Sequence, residues 1–121
     1  MSVEWIEHKG KQILVLDYRG LEPEDVIEHV EVGAKLVQEV PLPTKIRVLY
    51  NFERAVVNAT VMVRLISLGQ QVIEPRTEKS AVLGVQGTRH ILLTAYNRAT
   101  GADKNQKLFD SEEEALDWLI S

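Results

Sequence analysis

Apolar and polar positions follow two different periodicities along the chain. Apolar residues run together or alternate in five short stretches, a pattern typical of strands: residues 3–8, 12–18, 45–51, 80–85 and 107–109. Elsewhere they recur every three or four positions, a pattern typical of helices: residues 23–39, 58–73, 88–99 and 112–120. The predicted order of elements is therefore β-β-α-β-α-β-α-β-α.

Residues that favour helix ends and turns lie at several of these predicted boundaries. Pro23 lies at the first helical position, where its missing N–H costs nothing. Asn58 is a candidate N-cap for the second helix, and Ser111 with Glu114 forms a capping box before the last one. Gly10 lies in a short turn that predicts a hairpin between the first two strands.

The alternation of strands and helices predicts one α/β domain over residues 1–121. We expect a central mixed, mostly parallel sheet of four or five strands flanked by four helices, with an antiparallel edge from the opening hairpin. The sequence contains no internal repeat, low-complexity segment or linker that would divide it.

Composition excludes several classes of protein. Cysteine is absent, which removes disulfides, thiolate zinc ligands and a thiol nucleophile. The net charge of −4 argues against general nucleic-acid binding, which requires a basic surface. The N-terminus does not resemble a signal peptide, and no apolar run approaches the roughly 20 residues of a membrane span. We therefore expect a cytoplasmic protein without a membrane span.

The second predicted helix is unusually apolar. Its polar residues form one narrow stripe of Thr60, Arg64, Ser67 and Gln71, and apolar residues occupy almost all of the remaining circumference. One sheet face does not require such a wide apolar arc. Either neighbouring elements cover the helix within the core, or it leaves an apolar strip for a second subunit or a lipid-like ligand.

Residues 46–60 form a strand end that opens onto a helix, which is where α/β folds often place their sites. If the second and third strands are parallel neighbours, Asp17, Tyr18, Asn51 and Glu53 gather at one rim. Paired carboxylates there could support acid–base catalysis, but the favoured explanation is a polar rim with an Asp–Arg ion pair. We expect no enzyme, because the chain lacks a serine nucleophile motif.

Two other patterns concern ions. Gly87, Thr88 and Arg89 follow a strand and open a helix, so backbone donors and a guanidinium could bind an anion there. The segment lacks the P-loop and three-glycine dinucleotide patterns, and its glycines could serve only a tight turn. Asp25 and His29 form a single i, i+4 pair, too few ligands for a closed metal site. We expect neither a metal nor a cofactor.

Three stretches resemble the STAS domain, the fold of bacterial anti-sigma-factor antagonists. They are HKGKQIL at residues 8–14, KSAVLGV at residues 79–85 and LFDSEEEALDWL at residues 108–119. The chain looks closest to the uncharacterised antagonist-like bacterial branch, which has a kinship to the lipid-carrying CRAL-TRIO fold. The resemblance covers nearly the whole chain and implies an α/β scaffold.

The resemblance also implies a position for a regulatory switch. Antagonists of this family carry a phosphorylatable serine where the third strand gives way to the second helix. Here that region, residues 51–60, contains neither serine nor glycine, and Thr60 is its only hydroxyl residue. The sequence thus departs from the family at its best-known regulatory residue.

We expect a non-enzymatic interaction or regulatory module that docks through the second helix and the loop before it. The partner is another protein or a second copy of the chain, as in a homodimer. The alternative is a carrier or sensor of a small lipid-like or anionic ligand. The candidate contact residues are Asn51, Phe52, Glu53, Asn58, Thr60, Met62, Val63 and Ile66.

Overall fold

The computed structural model describes residues 3–121 and confirms the α/β class. Five strands form one sheet: β1 (Val3–His8), β2 (Lys11–Asp17), β3 (Ile46–Asn51), β4 (Thr77–Leu83) and β5 (Gln106–Phe109). Four α-helices flank it: α1 (Pro23–Gln38), α2 (Ala59–Leu68), α3 (Thr88–Thr100) and α4 (Glu112–Leu119). The predicted order of elements is confirmed.

The strands lie in the sheet in their order along the chain. β1 pairs with β2 in antiparallel register, and every later neighbour is parallel. Lys9 and Gly10 form the hairpin turn, with φ angles of 49° and 85°. Positive φ at both central residues matches the right-handed twist of the strands, which explains the short connection.

This topology decides which helix covers which face. Each parallel crossover is expected to be right-handed and moves one strand further across the sheet, so α1, α2 and α3 share one face. The core on that face includes Val26, Val30, Val61 and Leu65 of the helices. α4 packs on the opposite face, where Leu119 belongs to a separate buried cluster.

The second helix ends earlier than the sequence pattern predicts. A continuous helix was expected over residues 58–73, but α2 ends at Leu68 and a π-helical turn, Gly69–Ile73, follows. A 3-10 turn, Glu74–Arg76, then leads into β4, which begins at Thr77 rather than at residue 80. Gly69 lies directly against the Tyr96 hydroxyl of α3, so a contact distant in sequence accompanies the change in winding.

The apolar arc on α2 lies partly in the core and partly on the surface. Val61 and Leu65 are buried in the core, and Met62 and Ile66 are half-buried. Val63 is 70% exposed on the outer side. The wide arc therefore serves mainly to pack α2 among its neighbours. None of the helices within residues 3–121 is long and apolar enough to cross a membrane.

Candidate functional site

A cleft lies between α2, α3 and the face of the sheet that they cover. It encloses about 50 Å³, and about 600 Å³ when the solvent-open mouth is included. Its lining is mostly aliphatic and aromatic: Val30, Tyr50, Phe52, Val57, Met62, Leu65, Ile73, Val82, Val85, Arg89, Leu92, Leu93, Tyr96 and Gln106. The composition matches that of small-molecule sites, which are largely apolar with a few placed polar groups.

Helix α3 covers the cleft without being embedded in the core, because none of its residues is fully buried. Arg89, Leu92, Leu93 and Tyr96 recur at helical spacing and line the cleft together. Ile91, on the outer side of the same helix, is 69% exposed. Elements with so little buried surface are the ones that open at low free-energy cost.

The cleft has a polar end formed by a tyrosine and a carboxylate. The Tyr96 hydroxyl donates a 2.6 Å hydrogen bond to Glu74 Oε2. Burial raises the pKa of Glu74 above its ordinary value, while the bond from Tyr96 opposes the increase. Burial, and then the neighbouring Glu74, raises the pKa of Tyr96. The carboxylate therefore holds the Tyr96 hydroxyl in one orientation.

Tyr50 contributes a second hydroxyl at this end. The residue is only 7% exposed, and its hydroxyl has no hydrogen-bond partner within residues 3–121. Burial raises the pKa of Tyr50, and the nearby Glu74 and Tyr96 raise it further. Its ring stacks on Phe52 with centroids 6.0 Å apart. The Tyr50 hydroxyl oxygen has almost no accessible surface, so it lies against packed protein atoms rather than in the open part of the cleft.

The loop of residues 51–58 closes the cleft at the strand ends and is firmly held. Asn51 Oδ1 accepts a hydrogen bond from the Glu53 backbone N–H at 3.1 Å. The Val56 N–H donates to the Leu21 carbonyl at 2.9 Å, which fastens the loop to the segment before α1. Asn58 Oδ1 accepts from the Val61 N–H at 2.9 Å, which confirms the predicted N-cap.

The predicted contact residues do not share one surface. Phe52 and Met62 line the cleft, and Ile66 is half-buried beside the same helix. Thr60 and Val63 are exposed on α2. The side chains of Asn51 and Asn58 bond to the backbone of their own loop and helix, while Glu53 is exposed with its Oε1 3.5 Å from Arg54 Nη1. The first group belongs to the cleft, and the others belong to its rim or to the outer surface.

The candidate anion site has a visible structural role. Arg89 Nε donates to the Gly84 carbonyl at 2.9 Å, and Nη1 lies 3.5 Å from the Ala55 carbonyl. Gly84 has φ of 77°, and a Cβ there would overlap the backbone of Glu53. Gly87 has φ of 58° at the start of α3, and Thr88 is exposed. Arg89 and Gly84 thus join α3 to the loop of residues 51–58.

The rim expected from adjacent strand ends forms only in part. Asp17 pairs with Asn51 across β2 and β3, so these strand ends do lie together. Arg19 Nη2 donates to Asp17 Oδ2 at 2.7 Å, and this hydrogen bond lowers the pKa of Asp17. The Tyr18 side chain, however, is completely buried in the core and does not join the rim. Within residues 3–121 there is no cluster of three or more His, Asp or Glu side chains suited to a metal ion.

Sequence reasoning missed the most informative residues of the cleft. Tyr50 reads simply as a strand residue, and Glu74 as the end of a helix before Pro75. The available signal was the i, i+3, i+4, i+7 spacing of Arg89, Leu92, Leu93 and Tyr96 on α3. No family model, curated protein or solved structure matches the chain. The cleft is therefore the main guide to function.

Proposed function

We propose that this chain is a non-enzymatic binding domain of STAS type whose cleft takes a small apolar ligand, as a carrier or a sensor. One observation carries the proposal: a largely apolar cleft lies beneath a helix, α3, that has no fully buried residue. A helix that only half covers an apolar space can move to admit a ligand and return over it.

The dimensions of the cleft limit the ligand. The enclosed space of about 50 Å³ is much smaller than the roughly 150 Å³ of an apolar cavity that binds benzene. While α3 stays in place, the cleft therefore admits a molecule of only a few heavy atoms. A larger molecule would require α3 to move away from Leu65 and Val82, which lie beneath it in the lining.

The lining favours an apolar ligand over an anionic one. Among the described residues that line it, Arg89 is the only Lys or Arg, and two of its guanidinium nitrogens already face the carbonyls of Gly84 and Ala55. At the other end the Glu74 carboxylate lies behind Tyr96 and would repel a negative group. Aliphatic and aromatic side chains provide most of the remaining surface, so burial of apolar area would supply most of the affinity.

A filled cleft tests the proposal. Leu93→Trp places a large ring into the cleft, whereas Ile91→Trp places the same ring on the exposed side of α3. We expect toluene, titrated into isotopically labelled protein and followed by NMR, to shift resonances of cleft residues in the wild type and in Ile91→Trp. Leu93→Trp should lose these shifts. Equal shifts in both variants, or none in the folded wild type, would contradict the proposal.

A second candidate function rests on the outer side of α2. Val63 is 70% exposed, and Val56 in the preceding loop is 45% exposed, so a protein partner or a second copy of the chain could dock there. Val63→Glu should then reduce self-association or partner capture while circular dichroism shows an intact fold. Ile91→Glu, at an equally exposed apolar position on α3, is the matched control. Unchanged light scattering and unchanged pull-downs in Val63→Glu would exclude this docking role.

A further inference from the structure

We infer that two copies of this chain dimerise by pairing their β1 strands in antiparallel register, with Ile6 of each copy facing its symmetry mate. The pairing would join the two sheets into one continuous sheet. β1 is the last strand on its side of the sheet, so its outer edge has no pairing strand within residues 3–121. The inference does not rest on the proposed function, because β1 contributes no residue to the lining of the cleft.

The hairpin turn determines which backbone groups of β1 face outward. A two-residue turn of this kind is closed by hydrogen bonding between its flanking residues, here His8 and Lys11, which are paired in register. Bonded and non-bonded pairs alternate along an antiparallel ladder, so Trp5 and Glu7 direct their N–H and C=O groups away from β2. The result is an edge of six residues that can pair with another strand, whereas the opposite edge, β5, has only four.

One register suits both the backbone and the side chains of this edge. With Ile6 opposite its symmetry mate, Trp5 lies opposite Glu7 of the second copy, so the outward groups of these two residues bond to each other. Glu4 then lies opposite His8 of the second copy. Registers centred on Glu4 or on Trp5 would instead set Glu4 against a second carboxylate or against an isoleucine, and both pairs are unfavourable.

The same register extends the apolar core on both faces of the sheet. Trp5 is half-buried at the margin of the cluster beneath α1 and α2, and Ile6 is half-buried at the margin of the cluster beneath α4. The two Ile6 side chains would oppose each other directly, and the two Trp5 rings would be diagonal neighbours within reach of each other. Burial of this apolar surface would stabilise the dimer in addition to the backbone bonds.

The hairpin turn also provides a cation for Glu4 of the second copy. His8 Nε2 and Lys9 Nζ both bond to Asp117 Oδ1, at 2.8 and 3.0 Å, and the Lys9 side chain is still 65% exposed. Glu4 is exposed and takes part in no ion pair within residues 3–121. Charged side chains usually keep sheet edges apart, but this register brings the Glu4 carboxylate to the Lys9 ammonium.

Sedimentation equilibrium of the full chain tests the inference. The wild type should have about twice the 13.7 kDa mass of the monomer at the concentrations used for NMR. Glu7→Pro removes an outward N–H without disturbing the bonds to β2, and it should be a monomer with an unchanged circular dichroism spectrum. Glu7→Ala keeps the N–H and should remain a dimer. A monomeric wild type, or a Glu7→Pro variant that dimerises as strongly as Glu7→Ala, would overturn the inference.

Single cysteines test the register without a proline, because the natural sequence contains no cysteine. Ile6→Cys places two thiols in a directly opposed, non-hydrogen-bonded pair, where side chains come closest, and mild oxidation should give a covalent dimer. Leu108→Cys, at a 43% exposed position on β5, is the matched control and should stay monomeric over the same time. Failure of Ile6→Cys to crosslink, or equally fast crosslinking of Leu108→Cys, would overturn the inference.

Discussion

The Tyr96 hydroxyl donates a 2.6 Å hydrogen bond to Glu74 Oε2 and thereby connects α3 to the turn that follows α2. α3 contains no fully buried residue, so this bond is one of its firmer attachments to the core. Glu74 is held in a largely apolar setting, where the charged form of a carboxyl group is disfavoured. The attachment of the helix and the ionisation of a buried acid are therefore linked at a single contact.

The first prediction concerns the pH dependence of stability through Glu74. Its pKa in the folded protein lies above the reference value of 4.5, so the folded state binds more protons than the unfolded state above that pH. The contribution of Glu74 to stability is therefore fully present below about pH 4.5 and declines as pH rises through its folded pKa. Glu74→Gln should remove this decline, because the amide oxygen can still accept from Tyr96 but does not ionise.

Urea unfolding across this pH range measures the effect. As pH increases, Glu74→Gln should become more stable relative to the wild type, so its free energy of unfolding should exceed that of the wild type by a growing amount. Glu28→Gln, at an exposed position on α1, should show no such trend. A difference between Glu74→Gln and the wild type that stays constant with pH would show that the burial of Glu74 has no consequence for folding.

The second prediction concerns Gly69. Alanine usually stabilises a helix relative to glycine by about 1 kcal/mol. At Gly69, however, the added methyl group would overlap the Tyr96 hydroxyl, which Glu74 holds in place. We expect Gly69→Ala to destabilise the protein by about 1–3 kcal/mol, as overpacking does. Gln71→Ala, an exposed position in the same turn, should stay within ~0.5 kcal/mol of the wild type. If chemical denaturation shows that Gly69→Ala is more stable than the wild type, the Tyr96 side chain must shift easily to make room for the methyl group.

The sheet could be predicted from sequence because its signals are local. The apolar run of β2 and the turn at Lys9 and Gly10 specify a hairpin and a buried strand without information from the rest of the chain. The cleft could not be predicted in the same way. Glu74 and Tyr96 lie 22 positions apart, and their contact depends on how α3 crosses the sheet. The early end of α2 likewise involves a distant partner, since Gly69 lies against Tyr96.

The third prediction concerns the N-cap of α2. Asn58 Oδ1 accepts a hydrogen bond from the Val61 N–H at 2.9 Å, and it satisfies a donor that the helix itself cannot. Asn58→Ala should reduce the free energy of unfolding by about 1 kcal/mol, whereas Asn58→Asp should keep most of the stability that the cap contributes. Thr60→Ala, exposed in the first turn, should change stability by no more than ~0.5 kcal/mol. If Asn58→Ala and Thr60→Ala unfold at the same urea concentration, the cap contributes nothing measurable.

The last prediction concerns the contact between the β1–β2 hairpin and α4. His8 Nε2 donates to Asp117 Oδ1 at 2.8 Å, and Lys9 Nζ donates to the same oxygen at 3.0 Å. These bonds, that from His8 first, hold the pKa of Asp117 below its reference value of 3.8. The resulting stability is present above the unfolded-state pKa and is lost as pH falls through the lowered folded pKa.

Asp117→Asn should therefore be less stable than the wild type near neutral pH, and the difference should shrink as the solution is acidified through the lowered pKa of Asp117. Added salt should also reduce the difference, because Asp117 and Lys9 are exposed enough for ions to screen them. Glu28→Gln removes a similar charge from an exposed position in the middle of α1, far from a helix end, and should not show this acid-dependent convergence. Urea unfolding of the three proteins at neutral and acidic pH decides the matter: a deficit in Asp117→Asn that persists undiminished in acid would mean that its ionisation does not hold the hairpin on α4.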